Sequence, residues 1–194
     1  MELPHSGQIA WMTSSWSPDG EWLFFKEAGE AGDWNIGAIR VDGTEEPQVL
    51  LDTPYVELFP SLSPDGRFLA YTSEETGRRE VYVRAFPDLT RKRQISTNGG
   101  SEPVWAKNGG ELFYRENRKL MSVPVRTQPE FSAGRPELLF EGQYDLEPFG
   151  ADVSNYDVSN DGQRFIMIGN AEQSQQINVV LNWFDELERR VPTP

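Results

Sequence analysis

Ser17-Pro18-Asp19-Gly20-Glu21-Trp22-Leu23-Phe24-Phe25 sets a tight-turn sequence directly before an aromatic run. Pro presets φ, Asp caps its own backbone two residues on, and Gly takes a positive φ at no steric cost, so the tetrapeptide is a turn with a mechanism. The same arrangement returns as Ser63-Pro64-Asp65-Gly66 before Phe68-Leu69-Ala70-Tyr71. Degenerate copies follow, Ala106-Lys107-Asn108-Gly109 before Leu112-Phe113-Tyr114 and Ser159-Asn160-Asp161-Gly162 before Phe165-Ile166-Met167-Ile168. The third positions of the four turns are 19, 65, 108 and 161, so the spacings are 46, 43 and 53 residues. A repeat of this length matches one four-stranded propeller blade, and helical repeats of similar length also exist.

The segments between the turns decide for strands. A second apolar run spans 36–41, 81–86, 120–125 and 177–181. A third spans 47–51, 93–96 and 136–140. A further apolar segment ends at Trp16, Leu62, Trp105 and Val158, just before each turn. These are short β-branched and aromatic stretches bounded by Gly, Pro, Asn and Asp, which is the strand signature. Each unit therefore offers four strands: A before the turn, then B, C and D.

The expected fold is an all-β propeller of about four four-stranded units in a single domain over 1–194. The units cover approximately 8–52, 56–97, 102–142 and 153–184. The fourth lacks a D strand; Trp183 to Arg190 reads instead as a short C-terminal packing helix, with Trp183, Phe184 and Leu187 on one face. Residues Glu2 to His5 are a candidate for the missing strand, within the chain or across a dimer. The long last spacing comes from Thr127 to Gly134, a stretch of loop-type residues.

Composition narrows the function classes. The chain has 18 Lys+Arg against 31 Asp+Glu, a net charge of −13. Such a chain repels phosphate backbones, so no nucleic-acid partner is expected. The absence of Cys removes disulfides, thiolate nucleophiles and Cys-type zinc sites, and a lone His5 leaves no basis for a Ser-His-Asp triad or a multi-His metal centre. No D-x-D-x-D-G calcium loop is present. No cofactor and no metal are therefore expected. No apolar run approaches the roughly 18 residues of a membrane span, and the first residues lack the basic start and apolar stretch of a signal peptide. The expectation is a soluble chain without membrane insertion. Its native compartment is left open, and an extracytoplasmic setting would place the export signal on sequence outside it.

The repeated W/L-S-P-D-G turn and aromatic strand resemble the TolB-type β-propeller repeat, over essentially the whole chain. The segments "FSAGRPELLFEG", "NYDVSNDGQRFIMI" and "INVVLNWFDELERR" resemble the end of the propeller that follows the kinase domain in certain bacterial serine/threonine protein kinases. No kinase motif of its own is present. The resemblance implies a propeller that closes alone, pairs with a second copy, or forms the C-terminal part of a longer protein.

In a propeller the A–B and C–D turns lie on one face, and the B–C and D–A loops on the other. The opposite loops are longer and more varied, and function on a rigid scaffold tends to sit in such loops. They hold Trp34, Tyr55, Arg78, Arg79, Tyr144 and Tyr156, the aromatic and Arg types that anchor interfaces. Glu57 and Glu102 precede A strands that look equivalent and are candidates to face the central channel. These eight residues form the candidate binding set. Charge is uneven: residues 1–60 carry −9, 61–126 carry +4 and 127–194 carry −8. The basic middle suits an acidic partner, the acidic end of a second copy included. It also suits plain solvation of edge strands. The expected function is a non-enzymatic module that binds an unidentified protein or peptide through the loop face, with a homodimer completing the ring as one arrangement. The alternatives are a ligand-sensing propeller of a receptor-type kinase, or a propeller lyase or hydrolase using channel carboxylates.

Overall fold

The computed structural model of the protein describes residues 11–29, 33–144, 154–169 and 178–180. Its strands form four antiparallel sheets in chain order. The first is β1 (Trp11–Trp16), β2 (Trp22–Ala28), β3 (Trp34–Arg40) and β4 (Gln48–Leu51). The second is β5 (Glu57–Leu62), β6 (Phe68–Ser73), β7 (Glu80–Ala85) and β8 (Arg93–Gln94). The third holds β9 (Ser101–Trp105), β10 (Glu111–Glu116), β11 (Lys119–Arg126), β12 (Ser132–Ala133) and β13 (Glu137–Glu141); β12 and β13 both pair with β11. Among the described residues the fourth has three strands, β14 (Tyr156–Val158), β15 (Phe165–Met167) and β16 (Asn178–Val180). We call these sheets blades 1 to 4. The expected C-terminal helix over 183–190 and the strand at Glu2–His5 lie outside the described residues.

The stretch 127–134 differs from the loop read there, because Ser132 and Ala133 pair with Arg126 and Val125. Two residues beside a Gly and a Pro carry no periodicity, so this short edge strand leaves no sequence signal.

The blades pack face to face through three apolar seams. Phe24, Ala38 and Ile36 of blade 1 meet Leu62, Leu69, Tyr71 and Tyr82 of blade 2. Phe68, Ala70 and Val83 on the opposite side of blade 2 meet Trp105, Leu112 and Val123 of blade 3. Phe113 and Leu120 of blade 3 meet Tyr156, Val158 and Phe165 of blade 4, with Phe113 and Phe165 edge to face at 5.0 Å. Alternate residues along the central strands of blades 2 and 3 thus serve two different seams, which is why these strands read as continuous apolar runs. Within blade 1, Gly37 leaves room for the Phe25 ring, which a Cβ there would meet at 2.3 Å.

The innermost strands converge on one axis. Ser15 of β1, Pro60 of β5, Val104 of β9 and Tyr156 of β14 line a common cavity of about 320 Å³. Ser15 Oγ donates to the Pro60 carbonyl at 2.6 Å and Trp105 Nε1 to the Ser61 carbonyl at 2.9 Å, tying neighbouring blades at the centre.

Candidate functional site

The four turns all lie at one end of the blades. In blades 1, 2 and 4 the Ser hydroxyl donates to the Asp carboxylate two residues on (Ser17–Asp19, Ser63–Asp65, Ser159–Asp161). It also accepts the backbone N–H that starts strand B, from Trp22, Phe68 and Arg164. The Ser17 hydroxyl and the Glu21 N–H hold Asp19 below the usual carboxylate range, and the Ser159 hydroxyl and the Gln163 N–H do the same for Asp161. Burial alone would raise Asp65, but the Ser63 hydroxyl and the Arg67 N–H bring it below its ordinary value. These acids are fully employed in holding turns.

Carboxylates at the other end have different surroundings. Glu57 opens β5 and is 2% exposed. Its Oε1 accepts from Thr53 Oγ1 at 2.8 Å and Ser73 Oγ at 3.2 Å, while Oε2 is buried with no hydrogen-bond partner. Burial pushes this carboxyl up to about 7, against the pull of the Thr53 and Ser73 hydroxyls. Glu80, across the same blade, is as deeply buried but well served: Arg78 Nε donates at 2.7 Å, Gly99 N at 3.0 Å, and Ser96 Oγ also donates. Glu102 is 3% exposed; its Oε2 accepts the Asn155 N–H at 2.6 Å. Burial raises its carboxyl, opposed by that N–H and by the Arg115 and Arg79 charges.

Glu57 and Glu102 are not equivalent positions. The registers of β5 on β6 and β9 on β10 align Leu62 with Trp105 and Pro60 with Pro103, so Phe59 is the counterpart of Glu102. Both residues sit at positive φ, 53° and 57°, where each inner strand bulges ahead of its Pro. A non-Gly residue held there is strained, and such strain gathers at sites where geometry is over-determined.

Loops of blades 2 and 3 enclose a cleft of about 820 Å³ at this end. Its charged lining is Glu74, Arg78, Arg79, Glu102 and Arg115. Glu74 Oε1 accepts from Arg79 Nε at 3.1 Å. Arg78 also reaches the Thr97 carbonyl. Arg115 is 2% exposed, with Nε and Nη2 both donating to the Asn117 carbonyl, at 3.1 and 3.0 Å.

The eight residues singled out from sequence fall into two groups. Arg78, Arg79 and Glu102 line the cleft. Tyr144 stands 6.0 Å from the Arg115 guanidinium, and the Tyr156 hydroxyl donates to the Glu102 carbonyl at 2.8 Å. Tyr156 is buried in the seam between blades 3 and 4, so it supports the site and does not present an exposed anchor. Trp34, Tyr55 and Glu57 lie apart, on blades 1 and 2. Trp34 is partly buried beneath Lys26 Nζ, 3.8 Å from its ring centre, and Tyr55 is 42% exposed on the loop before β5. Sequence reading did not single out Arg115 or Glu80. An Arg closing the run Leu112-Phe113-Tyr114 was the available signal, since a charge at a strand end in register with cleft residues is seldom idle solvation.

Among the described residues no group of three or more His, Asp or Glu is arranged to hold a metal ion. No described helix is long and apolar enough to cross a membrane.

No family model matches the chain. Solved structures do resemble it. TolB from Acinetobacter baumannii superposes with a TM-score of 0.62 at 17% identity, over 90% of this chain and 41% of that one. A puromycin-hydrolysing peptidase from Mycobacterium tuberculosis gives 0.59 at 19%, over 82% and 28%. A chain of a nidogen–laminin complex gives 0.56 at 13%, over 86% and 62%. The chain thus spans less than two thirds of each, and at these identities the likeness shows the fold: a TolB-like β-propeller. One expectation is corrected here. The chain was read as not an enzyme, yet it superposes on part of a peptidase, so the propeller fold is no ground for ruling out catalysis.

Proposed function

We propose, on the premise of a TolB-like propeller fold, that the chain binds a protein or peptide through its loop face, with the cleft between blades 2 and 3 as the centre of contact. The observation that carries this reading is the cleft itself. Side chains from three separate loops converge on about 820 Å³ of space, within the range of ligand-binding clefts. The elements behind those loops are rigid, since Arg115 and Glu102 are pinned by main-chain hydrogen bonds. Prepositioned Arg groups around a concavity cost little entropy on binding, and Arg is enriched where interface energy concentrates. That a nidogen–laminin complex contains a chain of similar fold supports the same reading.

The test is unbiased peptide display against the immobilised protein, with the selected peptides re-assayed on two variants. Arg78→Ala/Arg79→Ala should abolish enrichment, and Asp161→Asn at the turn end should leave it intact. Peptides that bind both variants as they bind the parent would place the contact elsewhere and sink the proposal.

A further inference from the structure

The geometry points to a carboxylate-recognising site: we infer that the cleft between blades 2 and 3 takes a peptide segment through its acidic side chains or its own C-terminal carboxylate. This deepens the binding role proposed above and rests on it.

Three observations support the choice of ligand. The first is the donor set. Arg78, Arg79 and Arg115 all line the cleft, joined by the amides of Asn98 and Asn117 and the hydroxyl of Ser101. A guanidinium carries five N–H donors in a fixed fork that matches a carboxylate, and amides and hydroxyls add neutral donors to the same oxygens. Arg78 gives Nε to Glu80 and Nη2 to the Thr97 carbonyl, which fixes the plane of its guanidinium at the cleft wall.

The second is the state of the acids in the cleft wall. Glu80 is committed to Arg78, Ser96 and Gly99, and Glu102 to the Asn155 N–H. Glu74 is the exception. It holds Arg79 through one hydrogen bond, and both side chains are more than a third exposed, at 38% and 37%. An ion pair with both partners this exposed adds little to stability, so Glu74 is the least committed acid of the cleft wall.

The third is the field. The whole chain carries −13, but residues 61–126, which build blades 2 and 3 up to this cleft, carry +4 between flanks of −9 and −8. An acidic segment is repelled by the flanks and meets attraction here, so charge gives register as well as affinity.

The experiment titrates the full chain against three fluorescein-labelled hexapeptides followed by anisotropy. One is hexaglutamate blocked at both ends. The second is a Gly-Ser hexapeptide with a free C-terminal carboxylate. The third is blocked hexalysine. Binding of hexaglutamate alone assigns side-chain carboxylates, and binding of the Gly-Ser peptide assigns the chain terminus. Arg78→Ala/Arg79→Ala should weaken the bound acidic probe by about tenfold or more. Arg126→Ala, which removes one exposed charge at the turn end of β11, should change it less than about twofold. Because Arg78 also serves buried Glu80, Arg78→Lys/Arg79→Lys is the folding control: charge is kept, the fork is lost, and binding should fall between the two. Raising salt should weaken the complex. No acidic probe bound at about 1 mM, hexalysine bound equally well, or the Ala variant unchanged would each overturn the inference. If display then yields non-acidic peptides that need Arg78 and Arg79, the binding role stands and only the carboxylate assignment falls.

Discussion

At the turn end of the blades, Asp19 and Asp161 are held below their ordinary range by a Ser hydroxyl and a backbone N–H. At the loop end, Glu57 and Glu102 are pushed up by burial. The same functional group is used in opposite ways. A turn Asp closes a local ring of hydrogen bonds in water, so its charge is cheap and structural. A loop-end Glu loses water to the seams and gains few donors, so its charge is costly and responds to whatever approaches. Repetition fixes the first end, and departure from repetition marks the second.

The sharpest break of this contrast is Glu80, a loop-end acid that is fully ligated. Glu80→Ala removes the acceptor for Arg78, Ser96 and Gly99 at once. It should cost about 3 kcal/mol in urea unfolding, since hydrogen bonds to a buried charge are the expensive ones to lose. A loss below about 1 kcal/mol would mean the Arg78 pair is a surface pair in effect, and that burial at this end does not magnify electrostatics.

Glu57 tests the other side. Its folded value is about 7 and the unfolded carboxyl titrates near 4.5. A raised folded value means the group favours the fold below the unfolded value, and that this benefit is lost as pH climbs through the folded one. Between pH 5 and 8 the wild type should therefore lose about 2 kcal/mol through Glu57 alone. Glu57→Gln should flatten that slope, measured as unfolding midpoints across the same range. Parallel curves for the two proteins would show that Glu57 reaches solvent or a donor when ionised, and the two ends would then differ less than their burial implies.

The same contrast explains what could be read before any coordinates. The turns and central strands were legible because their cause is local. Ser, Asp and Gly fix the turns of blades 1, 2 and 4 within a few residues, and the apolar runs behind the turns of blades 2 and 3 are buried on both faces. The carboxylates of the loop end were not legible in that way. Glu57 and Glu102 belong to equivalent strands but hold different places in them: Phe59 is the counterpart of Glu102 and takes the positive φ in blade 2, and Glu57 stands two residues before it. Arg78 and Arg79 could be picked as loop cations. That they meet Arg115 in one cleft depends on how blade 3 packs against blade 2, which no stretch of either blade encodes alone.

The smallest expected effect concerns the one turn that departs from the pattern. Blade 3 has Ala106 and Asn108 where the others have Ser and Asp. Asn108 Oδ1 still accepts the Gly110 N–H at 2.9 Å, and Gly109 still donates to the Ala106 carbonyl at 2.8 Å, so the chain reverses as elsewhere. The side-chain acceptor for the strand-B N–H and the hydroxyl donor to a carboxylate are absent. Ala106→Ser/Asn108→Asp would restore both, for a gain of about 1 kcal/mol, or roughly 2–4 °C in melting temperature. Against this, Ala106 is 1% exposed and packs in the seam with blade 4, where an added hydroxyl must find its partner within the turn. A gain would show that the ring of hydrogen bonds is itself stabilising, and that the turn end repeats because each copy helps. An unchanged or lowered melting temperature would show that the ring only satisfies groups burial would otherwise strand. The low carboxyl values at the turns would then be a consequence of the fold and no part of its cause.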